Sequence, residues 1–217
     1  PCAWVYGHIT DADNCTIDAA WMARVKEVVD YCINSGLYVI LNDHWDGGWL
    51  EDNIHATDEA TVEQNKAILE KVWTQIAEAF KDYDEHLLFA GLNEPDKDLD
   101  SNQWTPAVMD ALIDYEQTFI DVVRSTGGNN AKRILVIQGP KADINTTVKA
   151  SYANNLPADD VAGKLMMEIH YYDPWQFWGM ESDASWGKVW YYWGSENHLS
   201  GSTHNTSSSY EERSEER

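Results

Sequence analysis

Apolar side chains return along this chain in two alternating rhythms, one helical and one extended. From Ile17, the positions Trp21, Met22, Val25, Val28, Val29, Cys32 and Ile33 recur at helical spacing. Ser35-Gly36 then supplies a stop, so the spacing predicts a helix with one apolar face. Leu37–Leu41 follows as a short β-prone run that ends in Asn42-Asp43-His44-Trp45-Asp46. A second helix is predicted from about Asp58 to Phe80, with Leu69, Val72, Trp73, Ile76 and Phe80 on its buried face. It leads into Leu87-Leu88-Phe89-Ala90-Gly91-Leu92, an apolar run that stops at Asn93-Glu94 because Pro95 cannot continue a central strand. A third helix opens with Thr105 as N-cap and Pro106 at its first position, and stops at Gly127-Gly128. Arg133–Gln138 reads as the next strand, Ile144 to Ala153 as a shorter helical stretch, and Lys164–Tyr172 as a fourth strand closed by Asp173-Pro174.

Four strands alternating with helices, each ending in polar residues, define a βα repeat built on a parallel sheet. An open doubly wound sheet and a (β/α)8 barrel share this pattern. An open-sheet nucleotide binder wants a Gly-rich turn after a strand, and none of the four strand ends carries G-x-G-x-x-G or a P-loop, so the barrel is the predicted architecture. It is an incomplete one, because strands 1, 2, 7 and 8 are not evident. Unpaired edges of such a sheet imply self-association. The predicted organisation is a single domain over 1–194, whose last stretch of strand character is Val189–Trp193, and a polar, mobile tail over 195–217.

Charge narrows the partners. Fifteen Lys and Arg against 37 Asp and Glu give a formal net charge of −22, which excludes a phosphate backbone or an anionic membrane surface as partner. No 18-residue apolar run exists, so no membrane span is predicted. The 11 Trp and 11 Tyr are many for 217 residues, and such rings serve either as core or as platforms for the apolar faces of sugars. Cys2, Cys15 and Cys32 make neither a disulfide framework nor a metal set, and no His and carboxylate cluster has zinc spacing, so no metal or other cofactor is expected. The sequons at Asn14, Asn145 and Asn205 are expected from chance in a chain this polar.

In alternating strand and helix folds, ligands bind at the carboxyl ends of the strands. Those ends carry His44 with Trp45 and Asp46, then Asn93 with Glu94, then Gln138, then Glu168, His170 and Tyr172. Period-two alternation along the fourth strand would place Glu168, His170 and Tyr172 on one face. A carboxyl that donates a proton, with amide and imidazole groups to hold hydroxyls, suits acid/base work on an oxygen-rich substrate.

The Asn-Glu-Pro ending at Pro95, the stretch V-I-L-N-D-H-W-D-G-G-W-L from Val39, and His170-Tyr171-Tyr172-Asp173-Pro174-Trp175 together resemble the fourth, third and sixth strands of glycoside hydrolase family 5 cellulases. The resemblance covers roughly residues 37 to 195, or strands three to six of a (β/α)8 barrel. It implies a retaining endo-β-1,4-glucanase with Glu94 as general acid/base and Asn93 holding the sugar 2-hydroxyl. His44 would line the subsite of cleavage, His170 and Tyr172 would flank the nucleophile, and Trp45, Trp49, Trp175 and Trp178 would be sugar platforms. It also implies a β-linked polysaccharide partner and a secreted or cell-surface protein. The family's nucleophile ends a seventh strand in an apolar run closing with Gly-Glu-Phe, and no such run follows Tyr172. Two other readings stand beside this one: a carbohydrate-binding protein without turnover, and a mannan, xylan or xyloglucan hydrolase on the same scaffold.

Overall fold

The structure, a computed structural model, describes residues 1–207 and 209 except 97, 99 and 101. They divide into two compact units, Pro1–Ile169 and His170–Arg217. The first begins with a small antiparallel pair, β1 (Ile9–Asp11) and β2 (Thr16–Ile17). Then α1 (Ala19–Asn34), β3 (Val39–Asn42), α2 (Glu59–Phe80), β4 (Leu87–Ala90), α3 (Pro106–Ser125) and β5 (Leu135–Gln138) alternate. Two single-turn helices, α4 (Ile144–Thr147) and α5 (Ala150–Ala153), precede β6 (Leu165–Glu168).

The helices start where the sequence supplies acceptors. The Asp18 carboxylate accepts from Ala20 N and Trp21 N ahead of α1, and Asp58 accepts from Thr61 N ahead of α2. Thr105 caps α3 by accepting from Val108 N, with Pro106 at the first position.

Strands β3, β4, β5 and β6 form one parallel sheet in sequential order. Side chains alternate between its faces. Leu41, Phe89, Leu135 and Leu165 share one register row, and with Val39, Leu87, Ile137 and Met167 they pack into the main core beneath the helices. Trp73 of α2 centres that layer, its ring 4.6 Å from Phe119 of α3 and 5.5 Å from Phe89 of β4. On the other face Leu88, Ala90 and Val136 make a small separate cluster. The same face shows Ile40 and Met166 at 51% and 46% exposure.

At the amino ends of the strands, Arg133 is buried and sews the fold together. Its Nη1 donates to the carbonyls of Asp84 and Leu87, its Nη2 to those of Phe80 and Tyr83, and its Nε to Asn130 Oδ1. The guanidinium lies 4.8 Å from the Phe89 ring centroid.

Two expectations are corrected here. The fourth strand ends at Glu168, not Tyr172, so the alternation that would align His170 and Tyr172 with Glu168 does not extend to them. The ladder stops there because the neighbouring β5 ends at Gln138, directly opposite Glu168, and Gly139-Pro140 follows it. Likewise Val189–Trp193 forms no strand; Tyr192 makes a single parallel bridge to Asn205.

The second unit holds α6 (Trp175–Trp178) and the returning segment around Tyr192. Within 195–207, Thr206 is buried, donating from N and Oγ1 to the Tyr192 carbonyl. Residues 208 and 210–217 of the expected tail lie outside the described residues.

Candidate active site

Glu94 follows β4 by a few residues and is half-buried; Asn93 beside it is buried. Two side chains from neighbouring segments grip this turn by its backbone. Gln138, at the end of β5, accepts from Leu92 N through Oε1 at 3.0 Å, and Glu51, in the loop after β3, accepts from Glu94 N through Oε1 at 3.1 Å. Pro95 continues the tie, its carbonyl accepting from Lys141 N at 3.1 Å.

Gln138 is held in turn. Its Nε2 donates to Glu168 Oε2 at 2.7 Å, and its backbone N donates to Glu116 Oε1 at 2.9 Å. Glu168 thus sits in register with Gln138, on the sheet face opposite the helix-packed core. Glu116 reaches up from α3, fully buried, and also accepts from the Tyr152 hydroxyl at 2.8 Å. Burial raises its carboxyl to about pH 8, against the opposing effects of those two hydrogen bonds.

The loop after β3 carries the other candidates. His44 is exposed; its N donates to the Cys2 carbonyl at 2.8 Å and its Nδ1 lies 3.2 Å from Asn42 Nδ2. Trp45, Asp46, Gly47 and Gly48 all have positive φ, which is costly at the first two. Only a glycine fits at Gly48, where an added Cβ would stand 2.0 Å from Asp52 Oδ2. The buried Asp46 carboxylate anchors this turn by accepting from Val5 N and Tyr6 N, each at 2.7 Å. Trp45 is exposed beside Tyr6, ring centroids 5.9 Å apart, and its Nε1 donates to Asp52 at 3.3 Å. Trp49 instead packs against the main core.

His170, Tyr172, Trp175 and Trp178 belong to the second unit. The Tyr172 ring stands edge-on to His170 at 6.0 Å and 4.8 Å from Trp178, which meets Trp175 edge-on at 4.6 Å. Tyr172, Trp175 and Trp178 are about half exposed, forming an aromatic surface. The sequence candidates therefore fall into two groups: His44, Trp45, Asn93 and Glu94 in the first unit, and this cluster in the second.

Glu51 and Glu116 were not legible as site residues. A lone Glu in a polar loop and a Glu amid an apolar helix carry no spacing signal; only the excess of polar residues after β3 hinted that the loop is more than a connector.

A carboxyl and an amide just past the carboxyl end of β4, and a histidine and a tryptophan past that of β3, stand where a βα-repeat fold presents groups to a ligand. Residues 1–213 match the Cellulase (glycosyl hydrolase family 5) family, and the chain belongs to it. Its four strands are part of that family's (β/α)8 barrel. A xyloglucan-specific β-1,4-glucanase from a ruminal metagenomic library, solved in complex with XXLG, superposes with a TM-score of 0.80 at 48% identity, over 95% of this chain and 54% of that one. A xyloglucan-specific endo-β-1,4-glucanase of Bacteroides ovatus is 39% identical over 188 residues, 85% of this chain and 36% of the relative. Endoglucanase B of Ruminococcus albus is 40% identical over 182 residues, 82% and 41% respectively. The chain thus spans about half the length, or less, of the relatives it matches.

Proposed function

We propose that this chain carries the acid/base portion of a retaining endo-β-1,4-glucanase, acting on internal bonds of a β-1,4-glucan backbone, with decorated xyloglucan as the favoured form. The observation that carries the reading is the turn Asn93-Glu94, set just past a central parallel strand with its backbone fixed from both sides by Glu51 and Gln138. A general acid works only if its carboxyl is within hydrogen-bond reach of the leaving oxygen, so a rigid main chain beneath Glu94 is what the chemistry needs.

In this reading Glu94 protonates the leaving glycosidic oxygen and later takes a proton from water. Asn93 holds the 2-hydroxyl, and His44 and Trp45 line the cleavage subsite. His170 and Tyr172 orient the attacking carboxylate, while Trp175 and Trp178 stack on sugar faces. Glu168 is committed to Gln138 and is left out of the reacting pair. The preference for xyloglucan is supported by the two relatives named for it.

The test is release of reducing sugar from xyloglucan and from carboxymethylcellulose, measured beside binding of a xyloglucan oligosaccharide. Glu94→Gln is expected to lower release by about 10²-fold or more while leaving affinity nearly unchanged. Equal release by both proteins removes Glu94 from the role, and binding without release by either one favours the carbohydrate-binding reading.

A further inference from the structure

Glu51 lies outside every motif of the family resemblance, yet its side chain is tied directly to the Glu94 backbone. It occupies a short 3-10 turn in the loop after β3, and only 6% of it is exposed. Its Oε1 accepts from Glu94 N at 3.1 Å, and its own carbonyl accepts from Asp96 N at 2.7 Å. Backbone N–H groups of Trp45 and Asn93 also point to its carboxyl. One residue therefore braces two loops: the strained turn that carries His44 and Trp45, and the turn that presents Asn93 and Glu94.

The geometry points to Glu51 as a positioning residue for the acid/base, a third carboxyl whose hydrogen bonds fix the Glu94 main chain and whose charge bears on the Glu94 side chain. This rests on the reading of Glu94 given above. Burial, opposed by the backbone hydrogen bonds and aided by repulsion from Glu94, brings the Glu51 carboxyl to about pH 7. Acidic groups adjoin it. Asp43 is fully buried and held well above the usual carboxylate range by burial and by repulsion from Asp46 and Glu51. Asp52 adjoins it in the chain, and Asp96 is hydrogen-bonded to His55 at 2.6 Å.

Repulsion between two carboxylates is mutual. The Glu94 charge raises the Glu51 carboxyl, and the charge that Glu51 gains near neutrality is felt in turn at the Glu94 carboxyl. Glu51→Gln removes the charge but keeps an oxygen for the Glu94 N–H, whereas Glu51→Ala removes both.

The experiment is a 13C NMR titration of the glutamate carboxyls, with Glu94→Gln identifying the Glu94 signal, run beside amide exchange and steady-state kcat and KM on xyloglucan. The Glu94 carboxyl signal is expected to shift near pH 7 as Glu51 takes up its charge. Glu51→Gln should abolish that shift with native amide exchange. Glu51→Ala should in addition speed exchange of the Glu94 amide at least tenfold and lower kcat more than it changes KM. A Glu94 titration identical in the protein and Glu51→Gln, with Glu94 amide exchange unchanged in Glu51→Ala, overturns the inference. The NMR readouts need no turnover: if they change as expected while Glu94→Gln leaves sugar release intact, the acid/base reading fails and the coupling stands.

Discussion

The two faces of the four-stranded sheet do different work. The face under α1, α2 and α3 is apolar along its whole length, from Val39 and Leu87 to Ile137 and Met167, and is closed by Trp73, Phe80 and Phe119. The opposite face is apolar only in its middle, at Leu88, Ala90 and Val136, and becomes polar toward the carboxyl ends at Asn42, Gln138 and Glu168. Burying one face without polar atoms lets hydrophobic burial hold the strands in register. That rigidity lets the other face end in groups that must be fixed but not packed away.

The largest effect should come from the closed face. Phe89→Ala is expected to cost about 3–5 kcal/mol in urea unfolding, since the ring is fully buried among Phe80, Trp73 and Arg133. Met166→Ala on the opposite face should change stability by less than about 1 kcal/mol, because half of that side chain is already in solvent. Equal losses would erase the distinction between the faces.

A smaller effect joins the two. Glu116 rises from the closed side to the end of β5, and burial lifts its folded-state carboxyl to about 8 from the ordinary 4.5. The folded protein then holds a proton that the unfolded chain has lost, so this stabilisation is complete below about pH 4.5 and fades as pH rises through 8. The slope across that interval is about 1.4 kcal/mol per pH unit, and Glu116→Gln should flatten it in unfolding experiments from pH 5 to 8. The smallest effect is at a helix start: Thr105→Ala should destabilise by roughly 1 kcal/mol and leave the pH profile of activity where it was.

Much of the closed face was legible in the sequence, because a buried parallel strand is a continuous apolar run and a covering helix repeats every three to four residues. Phe80, Phe89 and Thr105 are found where that pattern puts them. The candidate acid was legible too, since Glu94 interrupts an apolar run at a Pro. The end of β6 was not, because Ile169, Tyr171 and Tyr172 look as β-prone as the strand before them, and where the neighbouring β5 stops is not written in their own sequence. Nor was the support beneath Glu94. Glu51 and Gln138 reach it from 43 and 46 residues away, and contacts of that range leave no mark in local periodicity.

Arg133 has a consequence for anyone recombining this barrel with its relatives. Its single fork grips the end of α2, the turn at Tyr83-Asp84 and the first residue of β4, so the third and fourth strand modules are riveted by a side chain from the fifth. A crossover placed between residues 84 and 133 separates the rivet from its holes unless the donor brings a matching guanidinium, and a lysine there could fill only part of the pattern. Modules that look exchangeable by their strand and helix boundaries are, at this end of the sheet, inherited together.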